Sequence, residues 1–209
     1  MRDVGFIRAL IVLHREYREF PLRMRAHVLI RFLTCPFLRV VEQVPAGAKL
    51  LDIGAGHAVL SILVRERGAH PIAVDPDARK VRKHDGILSV IGYDDCIRGL
   101  FDVVALVDVL YKLPIDEWDA LLERIRQRLK PRGILIVKEH DPTARVKHSI
   151  NRLQEKGASA LHLTLGESFS YESPSQFNAR LQSHGFTPLK TVRIDTGYPH
   201  PHMLYVARL

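Results

Sequence analysis

The densest chemistry in this 209-residue sequence is Asp52-Ile53-Gly54-Ala55-Gly56, followed nineteen residues beyond Gly56 by Asp75. Glycines at 54 and 56 let a ligand come close to the main chain where a Cβ would block it. An acid about 20 residues on, at the tip of the next strand, has the reach to accept both hydroxyls of a ribose. The third glycine of a dinucleotide-binding loop is missing, its place held by Val59 or Leu60, and Asp52 sets a negative charge just ahead of the turn. Phosphate would be repelled there, whereas a ligand carrying an ammonium and a sulfonium would be attracted. Further candidates follow: Asp94-Asp95, Asp108 with Tyr111, and the run Lys138-Glu139-His140-Asp141.

Positioning these groups requires strands that end at one rim. Residues 49–53 are an apolar, strand-like run entering the glycine turn, and apolar residues at helical spacing follow (Ala58, Leu60, Ile62, Leu63). Residues 71–74 read as a second strand ending at Asp75, 79–83 as a helix end, 87–91 as a third strand, and 101–107 as a fourth, nearly continuous in apolar residues and so suited to burial on both faces of a parallel sheet. A helix is predicted over 116–129, with acids in its first turn and Arg126, Arg128 and Lys130 at its end; Pro131-Arg132-Gly133 then turns the chain into a fifth strand, 134–137. Ser173-Pro174 starts a last helix that Gly185 ends, and 186–194 with 202–207 make a closing strand pair. Strand and helix alternating five times predict an α/β fold, a doubly wound and mostly parallel sheet with helices on both faces. Between the fifth strand and the last helix, residues 146–172 are expected to form a lid insertion.

The segment Leu51-Asp52-Ile53-Gly54-Ala55-Gly56-His57-Ala58 resembles the first motif of the class I S-adenosylmethionine-dependent methyltransferases, acid-x-Gly-x-Gly-x-Gly, with Ala58 in place of the last glycine. The resemblance extends over 48–209 and implies a seven-stranded Rossmann-like sheet whose last strand is inserted antiparallel, with S-adenosylmethionine as the cofactor. It further implies that Asp52 and the Gly54, Ala55 and Gly56 backbone hold the methionine part, Asp75 the ribose and Asp94, with Asp95 close behind, the adenine. Asp108 and Tyr111 would border the methyl group. His140 is the candidate base, with Glu139 and Asp141 as alternatives.

The N-terminal 47 residues form a separate unit in this reading, a helical cap. Residues 2–20 and 22–32 are basic amphipathic helices divided by Pro21, and 37–43 is a third, short one. Their arginines are expected either to be solvated or to meet an acidic substrate or an anionic membrane surface; His14 and Tyr17 would reach a substrate if the cap closes over the pocket. A net charge of +8 fits phosphates, nucleic acid or anionic lipid without choosing among them. Two cysteines, far apart in sequence, give no disulfide framework and suit a reducing cytoplasm. No apolar run approaches the roughly 18 residues of a spanning helix, and residues 1–13 lack a cleavage site. No H-E-x-x-H or other close ligand cluster calls for a metal, and His200 and His202 read as a turn entering an edge strand. The segment after the fourth strand has neither the Asn/Asp-Pro-Pro-Tyr/Phe sequence used on exocyclic base amines nor a Pro-Cys nucleophile. The expected activity is therefore methyl transfer to a small-molecule or lipid acceptor. An RNA methyltransferase and a non-catalytic S-adenosylmethionine-binding module are the alternatives.

Overall fold

A computed structural model of the chain describes residues 4–141 and 170–209. The central strand is β4 (Phe101–Val107), whose apolar run has both faces buried; β1 (Lys49–Ile53) lies parallel on one side and β5 (Leu129–His140) parallel on the other. Outward from β1 come β2 (His70–Asp75) and β3 (Leu88–Ile91), both parallel, and outward from β5 come β7 (His202–Arg208) and β6 (Thr187–Arg193). The order is β3-β2-β1-β4-β5-β7-β6, and β7 lies antiparallel to both neighbours, the inserted last strand that the resemblance implied. Strand side chains alternate between two cores. Leu50, Val103, Ala105 and Ile136 face α1 (Phe6–Tyr17), α2 (Leu22–Thr34), α3 (Phe37–Val41) and α4 (Val59–Arg65). Leu51, Val104, Leu106 and Leu135 face α5 (Glu117–Arg128) and α6 (Pro174–Ser183). Helices thus cover both faces, and the three N-terminal helices share their core with the sheet.

Three local expectations are corrected. Residues 79–83 are not a helix: Asp75 accepts the Asp77 N–H at 2.8 Å and Asp77 accepts from the Arg79 backbone at 3.1 Å and its guanidinium at 2.8 Å, so side-chain acceptors capture donors that a helix would need. Among the described residues, β2–β3 and β3–β4 are consequently joined by turns, and strict strand–helix alternation fails there. Pro131-Arg132-Gly133 does not precede β5 but bulges within it, with pairing that jumps from Phe101–Leu129 to Val103–Ile134 and Arg132 in the left-handed region at φ 63°. His202 does not enter an edge strand, since β7 bonds on both sides and β6 is the edge. The start of α6 follows the sequence closely: Ser173 caps it, forming a reciprocal capping box with Gln176, and Pro174 takes the first position. The expected lid lies outside the described residues except for Ser170, Tyr171 and Glu172.

Candidate functional site

Strand polarity gathers the C-terminal ends of β1, β2, β4 and β5 at one rim, where ligands bind in open α/β sheets. At the tip of β1 the main chain passes through Gly54 (φ 68°) and Gly56 (φ 57°) to Ala58 (φ 56°), which precedes α4. The glycines serve different ends. A Cβ on Gly54 would meet Val109 Cγ2 at 2.6 Å, so this glycine admits the chain after β4 and does not clear a ligand. A Cβ on Gly56 would stand in open space. Gly54 and Ala55 donate to the Val74 carbonyl at 2.8 and 3.0 Å, tying the loop to β2. Ala58 holds the left-handed conformation that its glycine counterpart would adopt freely, at a cost of about 1 kcal/mol.

Asp75 closes this cradle. Its carboxylate accepts the Gly56 N–H at 2.8 Å on one oxygen and the Asp77 N–H at 2.8 Å on the other, leaving lone pairs on both for further donors. Asp52 lies beneath the loop, almost wholly buried, and takes the Ser61 hydroxyl at 2.8 Å. Burial pushes its carboxyl up to about 7; the Ser61 hydrogen bond opposes the shift and Asp75 adds to it. Asp52, Gly54, Ala55, Gly56 and Asp75 are therefore brought together as the sequence implied. Asp94 opens the 3-10 turn Asp94–Cys96 after β3, and its side chain lies outside the described residues.

Beyond β4, Asp108 adopts φ 59° and its buried carboxylate is claimed by two cations, Lys138 in direct contact and Arg31 of α2 at 3.2 Å, with His140 Nε2 at 3.7 Å. Burial alone would raise this carboxyl, but Lys138 and Arg31 hold it well below the usual range. His140 is lowered to about 3 by burial and the Lys138 charge, and is neutral at pH 7. Its ring meets Tyr111 edge-on at 5.1 Å and packs near His202 at 5.4 Å. The two residues expected to do catalysis are thus adjacent, and both are buried. Glu139 accepts the Val109 and Leu110 N–H groups at 2.9 and 2.8 Å on Oε1, while buried Oε2 has no hydrogen-bond partner among the described residues; burial, then Asp108, pushes the carboxyl up to about 7. Asp141 is held by Arg193 at 2.6 Å. No group of three or more His, Cys, Asp or Glu among the described residues is placed to hold a metal.

The N-terminal helices complete the rim. The Tyr17 hydroxyl donates to the His57 carbonyl inside the glycine loop and lies 3.4 Å from His84, whose other nitrogen is 3.3 Å from Glu16. Arg8 and Arg15 pair with Glu66 of the segment after α4. These arginines are accordingly paired with Glu66 while their side chains stay in part exposed to solvent. Arg31 was not among the sequence candidates. Its signal was position: it lies three residues from Val28 and four from Cys35, both buried, so it belongs to the inward stripe of α2. His14 lines a groove between α1 and α2 together with Tyr17.

Residues 24–191 match a family model described as a methyltransferase domain. The ubiquinone biosynthesis O-methyltransferase of Xylella fastidiosa strain 9a5c is 32% identical over 111 residues, covering 47% of this chain and 44% of that protein, so the chain spans less than half the length of this curated relative. The crystal structure of Burkholderia thailandensis 1,6-didemethyltoxoflavin-N1-methyltransferase, with S-adenosylhomocysteine bound, superposes with a TM-score of 0.61 at 15% identity over 100% of this chain and 90% of that one. Human N-acetylserotonin methyltransferase, in complex with S-adenosylmethionine, gives 0.63 at 20% identity, covering 94% and 58%. At these identities the structural likeness establishes the fold.

Proposed function

Because this chain belongs to the methyltransferase-domain family, we propose that it transfers the methyl group of S-adenosylmethionine to a small-molecule or lipid acceptor. The observation that carries the proposal is the open position at Gly56, in the left-handed region and hydrogen-bonded to Asp75. A bare backbone turn with a carboxylate beside it, above a second buried carboxylate at Asp52, fits an adenosyl sulfonium and would repel a pyrophosphate. Bound there, the cofactor supplies an electrophilic methyl group on a good leaving group. The turn that Gly54 and Ala55 shape would present the open Gly56 to the methionine part, Asp75 would accept the ribose hydroxyls and Asp94 would meet the adenine. Asp52 would balance the positive charge, with Asp108 near the reacting end. The protein's main task is then to align the acceptor and exclude water. His140 and Tyr111, which meet edge-on, would border the acceptor; with its imidazole lowered to about 3 by burial, His140 would orient the acceptor rather than hold its proton. A lipid-like acceptor is supported by the relative that acts in ubiquinone biosynthesis.

Calorimetric titration with S-adenosylmethionine tests the reading. Asp75→Ala is expected to weaken binding by about 1 to 3 kcal/mol, the worth of charged hydrogen bonds. No binding by the wild-type protein would overturn the proposal, and equal binding by the variant would remove Asp75 from the ribose.

A further inference from the structure

The helical hairpin α1–α2 has two faces with opposite assignments. Its inner face carries Tyr17 and Arg31 to the rim of the site. Its outer face exposes large apolar side chains, among them Ile7 at 74%, Ile11 at 63%, Leu22 at 76% and Ile30 at 60%. Phe6 stacks on Phe32 at 5.5 Å, joining the start of α1 to the end of α2, so the exposed residues of both helices lie on one antiparallel pair. Between the helices runs an almost wholly apolar groove of about 250 Å³, walled by Leu10, Leu13, Leu22, Ala26 and Leu29, with Arg25 on its border. From Phe6 to Thr34 there are six arginines and two glutamates. Arg8 and Arg15 are committed to Glu66 and Arg31 to Asp108, whereas Arg23 and Arg25 make no ion pair among the described residues.

We propose that this outer face is a docking surface for an anionic lipid bilayer. An apolar stripe that would sink to the headgroup boundary, flanked by arginines that stay at the phosphates, is the arrangement of helices that lie in a membrane interface. Charge selects this occupant over a second copy of the chain, because Arg23 and Arg25, without an ion pair among the described residues, suit a phosphate-bearing surface, whereas a two-fold contact would gather the arginines of both copies in one interface. Docking is peripheral: no described helix is long and apolar enough to cross a membrane. Resting on the methyltransferase reading above, the placement also has a use, since the hairpin whose opposite face lines the cleft would hold the site beside the bilayer in which a lipid acceptor is dissolved.

Co-sedimentation of the full chain with phosphatidylcholine vesicles, with and without phosphatidylglycerol, tests this. The wild-type protein is expected to sediment with the phosphatidylglycerol vesicles and to be released as salt is raised. Arg23→Gln/Arg25→Gln should lower the partition coefficient about tenfold or more, each arginine near an anionic surface contributing roughly a fivefold factor. Ile7→Asp/Ile11→Asp should abolish most of the binding, with circular dichroism and S-adenosylmethionine affinity unchanged as proof of folding. A wild-type protein left in the supernatant by both vesicle types overturns the proposal. So does a double aspartate variant that sediments like wild type, or a dimer in sedimentation velocity that this variant dissolves while vesicles go unbound. Docking without cofactor binding would instead remove the methyltransferase reading and leave the surface standing.

Discussion

Asp108 and Lys138 are buried with their charges in contact, and Arg31 reaches the same carboxylate from α2. Removing one partner of a buried pair leaves the other uncompensated, so Lys138→Met is expected to cost about 3 kcal/mol in urea denaturation. The double change Lys138→Met/Asp108→Asn should recover most of the loss, because Arg31 is partly exposed and its charge reaches water. Asp52 gives a pH test. Its carboxyl is raised to about 7 from an ordinary 3.8, so its favourable contribution to folding is present in acid and is lost as pH rises from about 4 through about 7. A cationic ligand favours the ionised form; affinity for S-adenosylmethionine should therefore rise with pH up to about 7 and then level, and Asp52→Asn should flatten the profile in calorimetry. Residue by residue, Gly56, Asp52 and Asp75 were legible because spacing along one β-α-β unit fixes them. The purpose of Gly54 was not, since it is answered by Val109, fifty-five residues away in sequence and adjacent only once β1 and β4 pair.

At the scale of elements, the hydroxyl of Tyr17 is what fastens α1 to the glycine loop. Tyr17→Phe leaves the His57 carbonyl without that donor, and a stability loss of about 1 kcal/mol is expected in thermal unfolding, with a weaker cofactor affinity as the loop loosens. Periodicity located β1 and β4 to the residue because each is bounded by turns and buried along nearly its whole length. It failed at 79–83, where residue types tolerable in a helix are outcompeted by two aspartates accepting backbone N–H groups. It also shortened β5, because Pro-Arg-Gly reads as a stop and only the register with β4 shows the chain carrying on through a bulge.

For the molecule as a whole, the two cores on either side of one sheet predict a single cooperative unfolding step that a bound ligand delays. S-adenosylmethionine at about 100 times its dissociation constant should add about 2.7 kcal/mol, a rise of roughly 5 to 10 °C in Tm for a chain of this size, followed by the fluorescence of Trp118. The mostly parallel sheet was legible because strands alternating with helices call for right-handed crossovers, and the antiparallel last strand followed from the family resemblance, while the strand order came only with the structure. The joint fate of the N-terminal helices was less so, as a cap and an integral wall share one amphipathic pattern. The contact between Tyr17 and His57 makes that wall a transmission rod. A partner whose grip on the outside of the hairpin changes the loop's affinity for its ligand must, by thermodynamic reciprocity, have its own grip changed by the same factor when the loop is filled.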